Sequence, residues 1–478
     1  MEGIDPRWRD ARRVLAVRLD NLGDVLVTSP ALRAIKESLP QVSLTLLASP
    51  VGAQVGRLNP YVDDVIVYQA PWMDPWSRLP QDTGRERAMV ETVAAGRFDG
   101  AIIFTSFRQS SLPAAYLCYM AGIPLRLAAS IDGPGSLLTT RHKHPEHMMH
   151  EVERGLDLVG AIGLGADADD LVLKTPDDAR VRLAQRLPSP PREPSPPTPL
   201  PTAGHPSPPT PLPVRGRGEQ PSPLTHDDWP LGPSRGPTVQ RALPAALYGL
   251  APDRPRPVPA QPAAGEGGRR GGLLVVVHPG CSMPARTYPW EMFGRVVDLL
   301  VERMGATVVV TGAADERELV ERVRGCVQEP HRDSVLGMAG TLPFDEFCAL
   351  IERADLTITN NTGPMHVSAA VKTPVVALFA LTNPPEQWGP WRAPHRQLYH
   401  EVSCRICYKR ACPYNHECLT LVSPEAVVEA ARELLDESTR TPSLGNRSDA
   451  DVVSDPPRVG RRRHDPSTEA PARPATDS

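Results

Sequence analysis

Aromatic side chains are scarce in this sequence: 7 Phe, 7 Trp and 9 Tyr make up 5% of its 478 residues. That argues against a surface of stacking platforms for single-stranded nucleic acid. An excess of positive charge is missing too. Against 56 acidic residues stand 52 basic ones, a formal charge of −4, so no nucleic-acid partner is expected. The richest basic run, Arg461-Arg462-Arg463-His464, falls in a polar tail. No apolar stretch suits a membrane span. The longest, Leu112 to Ser130, is broken by Gly122-Ile123-Pro124 and carries Arg126. The N-terminal residues hold no apolar core before Val14, so no secretory signal is expected. These absences leave a cytoplasmic protein as the expectation, with its 8 cysteines reduced rather than framed into disulfides.

Proline is what abounds, 56 residues of 478, more than twice the ordinary usage of about 5%. Much of the excess lies in residues 187–271. There the octet PSPPTPLP occurs at Pro194–Pro201 and returns at Pro206–Pro213. Such a stretch cannot bury enough apolar surface to offset the entropy of ordering, so a disordered Pro-rich linker is expected. On either side the pattern changes. Residues 13–180 alternate short β-branched runs (Val14–Val17, Ser43–Leu47, Asp64–Tyr68, Ala101–Phe104) with helical stretches, and residues 272–436 do so again (Leu273–Val277, Thr307–Thr311, Leu356–Thr359, Val375–Phe379). Strands separated by helices predict parallel pairing through right-handed crossovers. The expected fold class is α/β. Two Rossmann-like, doubly wound parallel-sheet domains, at 1–186 and 272–436, flank the linker, and a disordered tail covers 437–478.

In such sheets ligands sit beyond the carboxyl ends of the strands, where loops enter helices. After the first strand of the first domain stands Arg18-Leu19-Asp20-Asn21-Leu22-Gly23-Asp24. Gly23 permits a tight turn. Asp24 reads in two ways: a helix cap satisfying a free backbone N–H, or a carboxylate at a cleft mouth that removes a hydroxyl proton. Spacing alone favours the cap. After the first strand of the second domain come His278-Pro279-Gly280-Cys281-Ser282 and then Arg286, a turn, a hydroxyl and a cation that together suit an anion. Arg286 can fork two donors onto phosphate oxygens. Alternatively it is a surface arginine beside a structural turn. Thr359-Asn360-Asn361-Thr362-Gly363-Pro364-Met365-His366 passes from strand to helix, with Pro364 placed for the first turn. The free N–H groups and dipole of that helix suit a pyrophosphate, with the Thr362 hydroxyl beside it. His366, taken alone, reads first as a hydrogen-bonded structural histidine.

Five elements together resemble glycosyltransferase family 9, the lipopolysaccharide heptosyltransferases. They are RLDNLGDVLVTSPALRAIKESLP (18–40), HPGCSMPARTYPWEMF (278–293), VVVTGAADE (308–316), MAGTLPFDEFCALIERADL (338–356) and TNNTGPMHVSAAVKTPVVALF (359–379). The resemblance covers about residues 13–180 and 272–436, in the same order. It implies a GT-B fold in which the first domain takes the acceptor and the second a nucleotide-diphosphate sugar, ADP-heptose. It further implies inverting transfer to a lipopolysaccharide-type or other cell-surface glycan or glycolipid, without a metal or cofactor. Peripheral contact with the cytoplasmic face of the inner membrane would be compatible with such an acceptor. By position, Asp24 falls on the family's catalytic acidic residue, which reverses the preference for a cap. Arg286 falls where the family has a lysine near the diphosphate. Gly23, Ser282, Asn361, Thr362, Gly363 and His366 fall among its substrate-contacting positions. Two departures stand out: Asn361 replaces a frequent Asp, and Arg286 replaces Lys. A sugar-nucleotide epimerase or hydrolase on the same fold, and a degenerate nucleotide-sugar-binding protein, are the alternatives.

Two further clusters carry ligating side chains. Cys404, Cys407, Cys412 and Cys418 fall within 15 residues as CxxCx4Cx5C. A structural loop of thiols is favoured there over a metal or cluster site, and that over disulfides. The run Arg141-His142-Lys143-His144-Pro145-Glu146-His147 reads as a solvated loop ahead of a helix, metal ligation being a lesser alternative.

Overall fold

A computed structural model of the chain describes residues 3–73, 79–187 and 272–440. The expected linker, apart from Leu187, and most of the expected tail lie outside these residues. Two six-stranded parallel sheets result. The first contains β1 (Arg13–Arg18), β2 (Ser43–Ala48), β3 (Asp64–Val67), β4 (Gly100–Ile103), β5 (Leu125–Ala129) and β6 (Thr140–His142). The second contains β7 (Leu274–His278), β8 (Thr307–Gly312), β9 (Val335–Ala339), β10 (Leu356–Asn360), β11 (Val375–Leu378) and β12 (His395–Leu398). Their orders are β3-β2-β1-β4-β5-β6 and β12-β11-β10-β7-β8-β9. Each domain therefore repeats the Rossmann order, with its first strand beside its fourth and a switch point between them.

Alternation along the strands splits the first domain's interior in two. Val14 and Ala16 face one core, with Leu44, Leu46 and Ile102. Leu15 and Val17 face the other, with Leu47, Ala101 and Ile103. Both faces are covered, which is why these strands read as unbroken apolar runs. The second sheet does the same: Val275, Val277, Val308 and Val310 point to one side, while Val276 and Val309 join the first domain's core.

The helix Leu22–Ser38 follows β1 and contains Pro30. Proline has no N–H to give the carbonyl four residues back. The Ser29 hydroxyl takes that role, donating to the Leu26 carbonyl at 2.6 Å and accepting from the Val172 N–H at 2.8 Å. The gap that Pro30 leaves in the helix's hydrogen bonds is thus filled and tied to the chain at Val172.

Several elements differ from expectation. β5, β6, β9 and β12 go beyond the strands expected: Arg126 interrupts β5, Gly337 interrupts β9, and β6 and β12 carry polar residues at sheet edges. The stretch after β8 opens as a 3-10 turn, Ala314–Glu316, before the helix Arg317–Gly325. The last helix, Pro424–Arg440, runs past 436. The helix Asp177–Arg186, at the end of the expected first domain, packs on the helix Phe344–Arg353 of the second. Arg180 pairs with Glu352 at 2.8 Å and Arg182 with Glu346 at 2.8 Å. Among the described residues no helix is long and apolar enough to cross a membrane.

Candidate active site

Arg18 closes β1 with its guanidinium buried among three carboxylates. Its Nη2 lies 3.0 Å from Asp20, 3.2 Å from Asp24 and 3.9 Å from Glu151. Burial works to lower its pKa, but the three anions outweigh that, and Arg18 stays firmly charged. The same Nη2 donates to the Ser106 hydroxyl at 2.7 Å. Ser106 in turn lies 3.0 Å from Asp20 and 3.1 Å from Asp24, and its one proton serves one of them at a time. Burial, with repulsion from Asp24, pushes the Asp20 carboxyl up to about 6 despite Arg18. Glu151 is likewise raised by burial, opposed by Arg18 and Arg154.

Asp24 sits at the third position of its helix rather than ahead of it. Its two oxygens divide. Oδ2 accepts the Asn21 N–H at 3.0 Å, the acidic half of a capping box. Oδ1 accepts from Arg18 and Ser106. One side chain thus serves the capping box through one oxygen and the Arg18–Ser106 cluster through the other.

In the second domain Asn360, fully buried at the end of β10, staples the loop after β7. Its amide donates to the Pro279 carbonyl at 2.8 Å and its oxygen accepts the Tyr288 N–H at 3.0 Å. Between those anchors lies the 3-10 turn Pro284–Arg286. Arg286 donates through Nε to the Thr382 hydroxyl at 2.9 Å. Burial lowers its pKa from the usual arginine value, offset by Cys281, Asp24 and Cys407. Thr362 caps the helix Gly363–Ala370 in extended conformation, without a side-chain bond to that helix. Asn361 donates to Asn383 at 2.9 Å, so its amide is engaged within the domain. Ser282 is exposed.

The two domains meet at these loops. A Cβ on Gly23 would fall 2.6 Å from Cδ2 of His366, and one on Gly363 would fall 3.1 Å from Cδ2 of Leu22. The two helix N-termini therefore abut. Burial, aided by His150 and Arg286 and opposed by Asp24, pushes His366 down to about 4, leaving a neutral ring. Its Nδ1 is buried without a hydrogen-bond partner. Further contacts tie the rims: His150 Nε2 lies 3.0 Å from the Gly389 carbonyl, its ring stacks on Trp391, and Gln387 donates to Glu151.

Gly23, Asp24, Arg286, Gly363 and His366 thus converge, while Asn361 and Thr362 stand at the same helix mouth and Ser282 is turned outward. Sequence reasoning missed Arg18, Asp20, Ser106, Glu151, Asn360 and Thr382. Arg18 and Asp20 stood in the quoted loop, but Ser106 and Glu151 reach it only through folding. The cysteines are free thiols, all four partly exposed. The histidine run is a solvated loop only in part: residues 143–147 are irregular, and Lys143, Pro145, Glu146 and His147 are exposed ahead of the helix at Glu151. Thr140–His142 is an edge strand, and His142 and His144 turn inward onto Asp157.

Two Rossmann-like sheets facing through their first-strand loops define the GT-B class. The architecture of an E. coli ADP-heptose lipopolysaccharide heptosyltransferase II structure is similar, with a TM-score of 0.60 at 16% identity, over 89% of this chain and 99% of that one. So is that of a glycosyltransferase family 9 protein from Veillonella parvula, with a TM-score of 0.60 at 18% identity, over 89% and 98%. Residues 259–417 match the model of glycosyltransferase family 9 (heptosyltransferase). The match begins 13 residues ahead of 272, inside the stretch expected as linker. Lipooligosaccharide heptosyltransferase 2 of Campylobacter jejuni is 30% identical over 173 residues, 36% of this chain and 53% of that protein. Lipopolysaccharide heptosyltransferase 3 of E. coli is 32% identical over 165 residues, 34% and 46%. The chain spans about half the length of these curated relatives. Over these residues the chain is similar to glycosyltransferase family 9, the heptosyltransferases.

Proposed function

We propose that the protein is a cytoplasmic, inverting, metal-independent glycosyltransferase moving a sugar, heptose, from an ADP-activated donor to a lipopolysaccharide-type or other cell-surface glycan. The observation that carries this reading is the approach of Asp24, from the first domain, to Arg286 and His366, from the second. The names of the Campylobacter jejuni and E. coli relatives, both heptosyltransferases, support heptose as the sugar.

In this reading the donor diphosphate lies between Arg286 and the N-terminus of the helix Gly363–Ala370, where free N–H groups face it. The acceptor hydroxyl enters from the first domain. Asp24 takes its proton through Oδ1 as the oxygen attacks the anomeric carbon from the face opposite the nucleotide. The bond from that carbon to the diphosphate oxygen breaks, and ADP leaves with the electron pair. Arg286 meets the growing negative charge, an interaction stronger in the transition state than before it. Arg18 and Ser106 hold Asp24 in place, and the neutral His366 closes the cleft without adding charge.

The test is a screen of ADP-, UDP- and GDP-sugars by thermal shift, then product analysis with and without a glycolipid acceptor. A ligand at 100 times its Kd adds about 2.7 kcal/mol, enough for a clear rise in Tm. The expected outcome is stabilisation by the ADP-sugar and ADP release only when acceptor is present, with inverted anomeric configuration. Donor consumption without acceptor would replace this reading with an epimerase or hydrolase. Binding without turnover would leave a nucleotide-sugar-binding protein.

A further inference from the structure

The edge of the first sheet holds a group of side chains that sugar transfer does not use. His142 ends β6 and His144 follows two residues on, so the strand period of two puts both imidazoles on one face. Lys143 between them stays exposed beside Glu146. That face lies against the helix Glu151–Gly160, which carries Asp157. Asp157 Oδ2 is 2.6 Å from His142 Nε2 and 2.6 Å from His144 Nδ1. The two rings cross edge to face with centroids 5.0 Å apart. The three prospective ligand atoms lie within 4.8 Å of one another, all on part-buried residues.

We propose that His142, His144 and Asp157 form a binding site for a divalent first-row transition ion of the zinc class. The ion clamps the edge strand to the helix and takes no part in sugar transfer.

The donor set is right for such an ion. Two imidazole nitrogens and one carboxylate oxygen suit zinc, with water completing a tetrahedral shell. Ligands at about 2.0–2.1 Å around a tetrahedral centre stand about 3.3 Å apart. Opening the present 2.6 Å separations by about 0.7 Å is within reach of side-chain rotation. Two imidazoles and one carboxylate converge on a single point, and a dication satisfies that convergence better than two N–H groups crowded on one oxygen. Arg154, a nearby cation, is itself paired with Glu151 at 3.3 Å.

Placement argues for a structural role. The helix that carries Asp157 begins with Glu151, which faces Arg18 and accepts from Gln387 of the second domain. His144 lines a small cavity together with Arg18, Glu151 and Arg154. Fixing Asp157 to the strand therefore fixes the helix whose first turn touches both the Arg18 cluster and the domain contact.

The experiment is titration of the metal-stripped full-length protein with Co2+ alone, followed by visible absorption. The four cysteines could compete, but cobalt thiolates announce themselves by intense near-ultraviolet charge-transfer bands, whereas nitrogen and oxygen ligands give only weak visible bands. The expected result is about one equivalent with weak visible bands that persist when Cys404 and Cys407 are both changed to Ser. In His142→Ala and His144→Ala these bands vanish, and in Asp157→Asn, which keeps a hydrogen-bond acceptor and guards against simple misfolding, affinity falls at least tenfold. Zn2+ should raise Tm in the wild type but not in Asp157→Asn. Binding that disappears with the cysteines, weak bands that survive the histidine changes, or no binding at all would each overturn the proposal and leave the cluster as hydrogen bonds only.

Discussion

Gly23 and His366 touch across the cleft: a Cβ on the glycine would lie 2.6 Å from the histidine's Cδ2 and 3.3 Å from its Nε2. Real Cβ atoms do not approach so closely, and the ring is buried, so it has little room to retreat. Gly23 is not in the left-handed region, and alanine would suit its backbone. The glycine is needed for the neighbour's sake. Gly23→Ala should cost about 1–3 kcal/mol by overpacking and lower turnover by prising the loops apart. Adding His366→Ala should restore Tm but not turnover. Denaturation and turnover measured on both variants check this; an unchanged Tm in Gly23→Ala would show that the domains do not close this tightly.

Asp24 and Arg286 should divide their labour. Asp24→Asn keeps an oxygen for the Asn21 N–H but cannot take a proton, so turnover should fall about 10²–10⁴-fold with ADP affinity near wild type. Arg286→Ala should weaken ADP binding and also slow the single-turnover step. Calorimetry with ADP beside single-turnover kinetics separates the two. Full turnover in Asp24→Asn would reduce Asp24 to its capping role.

Asp20 should leave a signature in pH. Its carboxyl, pushed up to about 6 by burial, binds a proton more tightly in the folded than in the unfolded chain. Stability therefore falls as pH rises from about 4 to about 6, by an amount on the order of 1–3 kcal/mol. His366, pushed down to about 4, works in the opposite sense over the same range, losing stability as pH falls. The wild-type curve alone mixes the two, but its difference from Asp20→Asn isolates the first. Tm of the two proteins should converge near pH 4 and separate towards pH 7, the variant being the more stable. Parallel curves would mean that Arg18 keeps Asp20 ionised throughout.

Asn360 offers a test of the second domain's loop. Asn360→Ala leaves the Pro279 carbonyl and the Tyr288 N–H without their partners, at roughly 1–3 kcal/mol for each buried group. ADP affinity should fall as the Arg286 turn loosens, although Asn360 itself need not touch the nucleotide. Lower Tm with unchanged ADP binding would separate the staple from the ligand site.

Both sheets were legible because their central strands are buried on both faces and read as apolar runs: Val14–Val17, Val275–Val277 and Val308–Val310 could be little else. The edges were not. β6 and β12 hold Arg141, His142, His395 and Arg396, residues that alternate without a clean apolar face. The loops of the site were visible for a related reason, since glycine, proline and a carboxylate cluster where strand gives way to helix. What local reading could not reveal was company. Ser106 meets Asp24 from 82 residues away, and Asp157 meets two histidines 13 and 15 residues upstream. The offset of Asp24 within its helix is of the same kind, because a boundary shift of three residues, from a cap at Asp24 to one at Asn21, turns a cap into the far half of a capping box.

The seat of the helix Asp177–Arg186 bears on how this chain is made. Arg182 reaches Glu346 over 164 residues of sequence, and Arg180 reaches Glu352 over 172. At about 5–20 residues per second, a ribosome needs roughly 10–30 s to supply the partners after the arginines emerge. For that interval the newborn first half has all six strands of its sheet but one helix without a berth, its Leu183 facing water. A fragment ending at 187 would stay in that condition, and the nascent chain passes through it every time.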